Sequence, residues 1–456
     1  MPRPRSPVVR LGLALATHRI GAQGMIERAT VVRTASPAGK RGGADTGNPG
    51  VRRGATLAAR ALAGLLAVST SAIAVAQDSW PSPAQVKLVH DRLATFPASR
   101  LVAAVDWYQP QEAVKGARHP RPMVLKPTAS RTLAPTAVAA ATAYAEAQKS
   151  YALLVWRKGA LEIETYWPGF DRSSRYETAS MHKTVVALAI GAAVAAGKIH
   201  GVDDPIERYI PELVGTRRGA MPLRGYLEMA SGIETPRPGG DASVYWQYYL
   251  GDDLNADVAR WPDTCAPRTE FCYANANTHY LGWALSNATG MRYADWLSRA
   301  IWQPIGASDA RLWLDKVGGS PRHSCCLIAT AQDWIRIGRL ILDQGKVGNR
   351  QVVPATWIAS MTAPSPANPN YGWQVWRGSP HAPARTYGKS IKAQVPAADP
   401  FARDDVVFLD GSAGQRVYVI PSADMVIVRI GTPSTDWDDS RLPNLLLAGL
   451  PIDPAK

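Results

Sequence analysis

Residues 151–167 hold two short apolar runs on either side of Lys158-Gly159, the pattern of two strands joined by a tight turn. A sheet is therefore predicted to begin there. After a polar stretch over 171–177 the period changes. Residues 181–196 are apolar on nearly every face of a helix, with Val185, Val186, Leu188, Ile190 and Val194 spread around it, and the run stops at Gly197. A helix without a polar face is one buried all round. From 200 to 345 strand signals fade, and helices are predicted at 224–230, 278–289, 293–301 and 331–342. Strands return at 406–409, 415–420 and 425–430 between Gly and Pro, and 442–450 reads as a covering helix. At the front, 84–94 reads as a short amphipathic helix and 119–135 as a Pro-rich extended segment. Strands near both ends with helices between them require the two ends to meet in one sheet. The expected fold class is α+β: an antiparallel sheet flanked by helices, with an all-helical lobe over about 200–345.

A chain of 456 residues, 46% hydrophobic and 19% charged, is long and apolar enough to bury a large core. Its net charge of +14 would point to a polyanion partner if it were spread through the fold. It is not: residues 1–76 carry eleven Arg and Lys against Glu27 and Asp45, a net of +9. No later stretch interleaves basic and aromatic residues, so no nucleic-acid partner is expected.

The same N-terminal region carries a processing signal. Arg52-Arg53 and Arg60 lead into an apolar run over 61–75, and Ala74-Val75-Ala76 precedes Gln77. This is the order of a signal peptide, placed at 51–76 with cleavage after Ala76. The apolar run of about 15 residues is shorter than the roughly 20 of a spanning helix, so no stable membrane insertion is expected after cleavage. Residues 1–50 read as a disordered extension or as an over-extended start, the true one being Met25 or Val51. The exported domain is then 77–456, periplasmic or secreted.

Of the four cysteines, Cys265 and Cys272 are close in sequence on a predicted loop and are the expected disulfide, one of three possible connectivities. Cys325 and Cys326 read as small buried apolar residues rather than a bridge. No Cys or His pair has zinc-ligand spacing, so no metal is expected.

Candidate chemistry begins at Ser180-Met181-His182-Lys183, the single S-x-x-K of the chain. Three residues apart on a helix places both side chains on one face, about 5–6 Å apart at their β-carbons. A serine hydroxyl needs a base, and a lysine serves if burial disfavours its ammonium form. By composition alone such a motif arises by chance, and an N-cap serine with a solvated lysine would explain it. The apolar helix removes that option: with no polar face, Lys183 must be buried beside a partner. His182 does not share the face of Ser180, so it is expected to have a local or solvent role rather than to act as the base.

Two weaker signals follow. Tyr273-Ala274-Asn275 offers a hydroxyl that can relay a proton and an amide that can donate to a carbonyl or accept from lysine, though a core tyrosine fits it equally. Asp410-Gly411-Ser412 opens a late strand, where Gly411 would permit close backbone approach and the Ser412 N–H could help bind an oxyanion.

The three pieces, in this order and at these separations, resemble the serine β-lactamase superfamily: class C β-lactamases, DD-peptidases, esterases and 6-aminohexanoate-dimer hydrolases. The resemblance covers about 150–450. It extends to Val202-Asp-Asp-Pro205, Leu227-Glu-Met-Ala-Ser-Gly232, Pro304-Ile-Gly306, Cys326-Leu-Ile-Ala-Thr-Ala-Gln-Asp333 and Tyr371-Gly-Trp373. The Cys325-Cys326 element and the glycines ending at Gln415 are most like the 6-aminohexanoate-dimer-hydrolase branch. The resemblance implies that Ser180 is acylated, Lys183 is its base, Tyr273 relays the proton and Asn275 supports them. It implies an oxyanion hole made by the Ser180 and Ser412 amides, and no cofactor. Gly411, Tyr245, Trp246 and Trp373 are the candidate substrate contacts, with Trp376 paired to Trp373 as a candidate acyl-pocket lining, although such aromatic residues are more often core.

One departure bears on substrate. Where β-lactamases and DD-peptidases carry Lys or His two residues before the third motif's glycine, this chain has Leu409. The reading is an exported serine amidase or esterase for small molecules. A class C β-lactamase or DD-peptidase, and a penicillin-binding-like sensor that does not turn over, stand as alternatives. Oligomeric state is not specified by these patterns.

Overall fold

A computed structural model describes residues 80–450, apart from Arg121, Thr435 and the side chain of Ala413. The expected signal peptide and N-terminal extension lie outside the described residues.

The predicted hairpin forms as strands Ser150–Arg157 and Ala160–Tyr166, and Lys158 and Gly159 both take positive φ, 46° and 93°. A two-residue turn with that geometry matches the twist of the strands it joins. The two ends of the region do meet. Ser150–Arg157 pairs antiparallel with Met425–Gly431, Leu154 opposite Val428, and the late strands Gln415–Ile420 and Val407–Gly411 extend the sheet to the short strand Trp376–Arg377. With Ala160–Tyr166 at the other edge, the result is a six-stranded antiparallel sheet.

Both faces of this sheet are covered, which is why its strands read as apolar runs rather than strict alternation. Leu154, Val417, Val419, Val426 and Val428 pack on one side into the core that holds the helices His182–Ala195 and Ala331–Leu342. Leu153, Val155, Tyr418, Ile420 and Ile427 pack on the other, under Pro135–Ala147 and Arg441–Leu447. Residues 182–193 are buried without exception, as expected for a helix with no polar face.

The segment 200–345 departs from the all-helical expectation. Most of it is helical, including Leu223–Leu227, Asn275–Thr289, Tyr293–Leu297 and Ala331–Leu342. Ala310–Trp313 and Leu327–Thr330, however, are strands that join Gln111–Val114 and Arg175–Glu177 in a second, four-stranded antiparallel sheet. Four-residue strands are too short to show a period, and all four residues of Leu327–Thr330 are buried, so no alternation betrays them. The fold class stays α+β with antiparallel sheets flanked by helices.

The cysteines also divide. Cys265 and Cys272 are joined, as expected. Cys325 and Cys326 are joined too, against the expectation of two independent buried thiols. Both are indeed packed with apolar residues, but Cys326 has φ of 72°, a local backbone state that burial does not reveal.

The second sheet and the main sheet together hold one turn. Arg175–Glu177 delivers the chain to Ser180, and Gly411 at the end of Val407–Gly411 lies against that turn. On the far side of the same core, Gly338 brings the helix Ala331–Leu342 against the sheet, where an added Cβ would stand 2.4 Å from Val426 Cγ1 and 3.0 Å from Val417 Cγ1. Overpacking of this kind costs about 1–3 kcal/mol, while the helix propensity of Ala over Gly returns about 0.5–1 kcal/mol. The clash wins. Gly338→Ala is expected to lower the urea midpoint of unfolding; a raised midpoint would contradict this packing.

Candidate active site

The nucleophile turn is unusual before any catalytic group is considered. Ala179 takes φ of 51°, a left-handed conformation that a Cβ disfavours. Ser180 follows in a single 3-10 turn, and the buried helix begins at His182. Ser180 is partly exposed, whereas Lys183, one turn on, is 1% exposed. The Lys183 Nζ lies 2.8 Å from Ser180 Oγ and donates to the Ser324 carbonyl at 2.6 Å. Burial lowers the Lys183 pKa to about 7, against the opposing pull of Asp410 and Glu177. A large fraction of this amine is therefore neutral near pH 7, and it is placed to take the hydroxyl proton.

His182 is fully buried rather than solvated, one part of its expected role. Its Nδ1 meets the Cys325 carbonyl at 2.7 Å and its Nε2 meets the Tyr293 hydroxyl at 2.8 Å. Burial lowers its pKa to about 4, so it is a neutral local support and points away from Ser180 chemistry.

Tyr273 comes together with the pair. The Lys183 Nζ stands 5.0 Å over the Tyr273 ring. Burial pushes the Tyr273 hydroxyl well above its ordinary range, and its interaction with Ser180 works in the opposite direction. Asn275 opens the helix Asn275–Thr289 but does not bond to Lys183: its Nδ2 donates to the Tyr249 hydroxyl at 2.6 Å. The acceptor on Lys183 is the Ser324 carbonyl instead. Gly411 approaches as expected, since a Cβ there would lie 2.2 Å from the Thr178 carbonyl oxygen. Only glycine lets this strand end come so near the turn that carries Ser180, and exposed Ser412 follows it.

Three of the substrate-contact candidates are buried. Tyr245 and Trp246 are buried in a cluster with Tyr108 and Trp313 that also takes in Cys326. Tyr249, one helical turn beyond Tyr245, is the partly exposed member that reaches Asn275. Without a known register, the sequence did not say which face of Val244–Leu250 points inward. Trp373 is core: it packs on Trp357 at 4.9 Å and donates to Glu228 at 3.2 Å. Trp376 lies beside Tyr273 instead, ring centroids 5.9 Å apart, with Tyr387 at 5.1 Å.

Behind these rings sits a charge cluster that sequence reasoning missed. Asp410 pairs with Arg385 and Arg416, and Asp439 pairs with the same two arginines, all four buried. The Tyr387 hydroxyl donates to Asp410 at 2.7 Å and the Trp437 indole to Asp439 at 3.1 Å. Although burial opposes ionisation of Asp410, the two arginines and Tyr387 outweigh it and hold the pKa at about 2. The signals available were Asp410 and Arg416, charged residues in strands otherwise largely apolar; Arg385 and Asp439 lie in stretches without a readable period. Arg416→Met removes one cation and leaves two buried carboxylates sharing Arg385. It is expected to destabilise the protein by about 3–5 kcal/mol, read as a fall in the urea midpoint at pH 7.

The fold and the site define a class: α+β proteins in which a serine and a buried lysine open a core helix beside an antiparallel sheet. The family model described as Beta-lactamase matches residues 137–443, and the chain belongs to that family of serine hydrolases. A curated relative, the 6-aminohexanoate-dimer hydrolase of Paenarthrobacter ureafaciens, is 30% identical over 232 residues. That match covers 46% of this chain and 57% of the relative, so the chain spans less than two thirds of it. Among solved structures, a Bacillus anthracis protein assigned as a 6-aminohexanoate-dimer hydrolase has a TM-score of 0.59 at 23% identity, covering 76% of this chain and 90% of its own. EstCE1, described as a hydrolase with promiscuous acyltransferase activity, has a TM-score of 0.52 at 16% identity, covering 69% of this chain and 97% of its own. A class C β-lactamase from Rhodobacter sphaeroides has a TM-score of 0.50 at 16% identity, covering 69% and 98%. At these identities the likeness to solved structures is one of fold.

Proposed function

We propose that this protein is an exported serine hydrolase, periplasmic or secreted, that cleaves small linear amides or esters through an acyl-enzyme on Ser180. The observation that carries the reading is the buried Lys183 amine 2.8 Å from Ser180 Oγ. Neutral Lys183 takes the hydroxyl proton as Oγ attacks the carbonyl carbon. The carbonyl oxygen becomes an oxyanion held by the Ser180 and Ser412 N–H groups. Tyr273 passes the proton to the departing amine or alcohol, and water then attacks the ester on Ser180 to release the acid. Asn275, held by Tyr249, borders the acyl group.

Leu409 supports a substrate without an anion beside the scissile bond. It is fully buried in the core and offers no cation, and the nearby Arg385 is neutralised by Asp410 and Asp439. A carboxylate close to the scissile amide, as in β-lactams, therefore has no free positive partner among these residues, whereas a 6-aminohexanoate dimer carries its carboxylate several methylenes away. The dimer-hydrolase relative supports the amide side of the reading.

The test is product release by the full chain on a nitrophenyl butyrate ester, a 6-aminohexanoate dimer and a chromogenic cephalosporin. Multiple turnovers are expected on the ester or the dimer, with Ser180→Ala lowering kcat by about 10⁴-fold or more and Lys183→Ala by about 10²–10⁴-fold. Equal rates for wild type and Ser180→Ala would overturn the reading, and cephalosporin opening alone would assign the β-lactamase chemistry instead.

The pH dependence follows from the base. Lys183 must be neutral to act, and burial places its titration at about 7. Activity is thus expected to rise with pH through about 7 and to be lost below it, as the amine protonates. A profile flat from about pH 5 to 9 would speak against Lys183 as the base.

A further inference from the structure

Two groups beside the reacting pair have no step in the acyl transfer: the Glu177 carboxylate and the Cys325–Cys326 disulfide. Glu177 is 3% exposed and stands three residues before Ser180. A single oxygen, Oε1, accepts the Ala179 N–H at 2.8 Å and the Cys326 N–H at 2.9 Å. Ala179 and Cys326 are both left-handed, with φ of 51° and 72°. Non-glycine residues in that region cost about 1–3 kcal/mol each and persist only where their surroundings over-determine them. One carboxylate oxygen therefore ties two strained positions together.

The segment it grips also faces the other member of the pair. The Ser324 carbonyl accepts from Lys183 Nζ, the Cys325 carbonyl meets His182 Nδ1, and the Cys326 N–H reaches Glu177. Three consecutive residues thus touch the base, its helix neighbour and the acid behind the nucleophile turn. The disulfide joins two of the three covalently, side chain to side chain, beside Glu177.

We propose that Glu177 and the Cys325–Cys326 disulfide form a positioning clamp that holds the Ser180 turn and the Lys183 amine in reacting register, with the Glu177 oxygen as its pivot. The clamp rests on the acyl-enzyme reading above. Glu177 and the cysteines do not touch substrate in it; they act through Ser180 and Lys183.

The clamp has an electrostatic consequence that a purely structural role would lack. The groups facing Lys183 are Glu177, Asp410, His182 and the Tyr273 ring. His182 is neutral, and Asp410 is shared between two arginines. Burial raises the Glu177 pKa to about 7, so its charge varies over the same range as that of Lys183. An anionic Glu177 favours the Lys183 ammonium. Removing that charge while keeping the oxygen must move the lysine titration to lower pH.

The experiment measures the rate at which a fluorophosphonate labels the full chain. In this reaction the Ser180 Oγ–P bond forms, the P–F bond breaks, fluoride leaves and the hydroxyl proton goes to the base. Intact mass reads the adduct, and circular dichroism reads folding. Glu177→Ala and the double variant Cys325→Ser/Cys326→Ser are expected to label about 10²-fold more slowly than wild type, the cost of a small misplacement of reacting groups. Glu177→Gln keeps an acceptor oxygen and should stay within about fivefold of wild type at its alkaline plateau. Its midpoint should fall by about one pH unit. Wild-type rates in both disrupted variants would overturn the clamp, as would a Gln variant as slow as the Ala variant. If the disrupted variants do not fold, the Glu177→Gln midpoint decides alone, and an unmoved midpoint overturns the proposal. Wild type that labels no faster than Ser180→Ala would overturn the acyl-enzyme reading and the clamp with it, whereas fast wild-type labelling with unaffected variants removes the clamp only.

Discussion

A lysine amine buried on a helix that has no polar face is the constraint around which this structure is arranged. Desolvation disfavours the ammonium ion, and Lys183 meets that cost in two ways: its pKa falls to about 7, and the donors it keeps are aimed at Ser180 Oγ and the Ser324 carbonyl. The same burial that makes the residue expensive makes it a base near neutral pH. Remove the surrounding core, and the amine returns to water as a protonated surface lysine.

That core in turn depends on a sheet closed by distant parts of the chain. Ser150–Arg157 pairs with Met425–Gly431, so the nucleophile helix shares its core with a strand contributed more than two hundred residues later. Gly411 transmits the closure to the site, its backbone lying against the Thr178 carbonyl where any side chain would collide. The Arg385, Arg416, Asp410 and Asp439 cluster anchors the strand on which Gly411 sits. Such a cluster is dearer to break than to build, because losing one partner leaves an uncompensated buried charge.

Much of this was legible before any coordinates. The hairpin at Lys158-Gly159, the fully buried helix, the late strands and the pairing of Ser180 with a buried Lys183 followed from local patterns. Those patterns have a short physical range, a turn residue or a helical period, and they survive in any context that folds. The errors have an equally definite origin. Leu327–Thr330 is too short for a period to appear, and it was absorbed into a helical region. Tyr245 and Trp246 were chosen from an aromatic run whose inward face depends on neighbouring helices. Trp373 and Trp376 read as a pair, yet the strand Trp376–Arg377 places only Trp376 beside Tyr273, while Trp373 packs on Trp357.

By itself the sequence determined that Lys183 is buried beside Ser180, because a serine and a lysine three apart on an apolar helix leave the lysine nowhere to go but inward. Only the tertiary structure decided what meets that lysine. The Ser324 carbonyl, not Asn275, accepts from it; Glu177 stands behind the nucleophile turn; and Cys325 and Cys326 are bonded beside it. The Lys183–Ser324 and Glu177–Cys326 contacts join residues 141 and 149 positions apart in the chain, and their geometry is set by how two sheets pack around one turn. Local spacing carries no information about such distances, since chain separation fixes neither the direction nor the proximity of side chains once the fold closes.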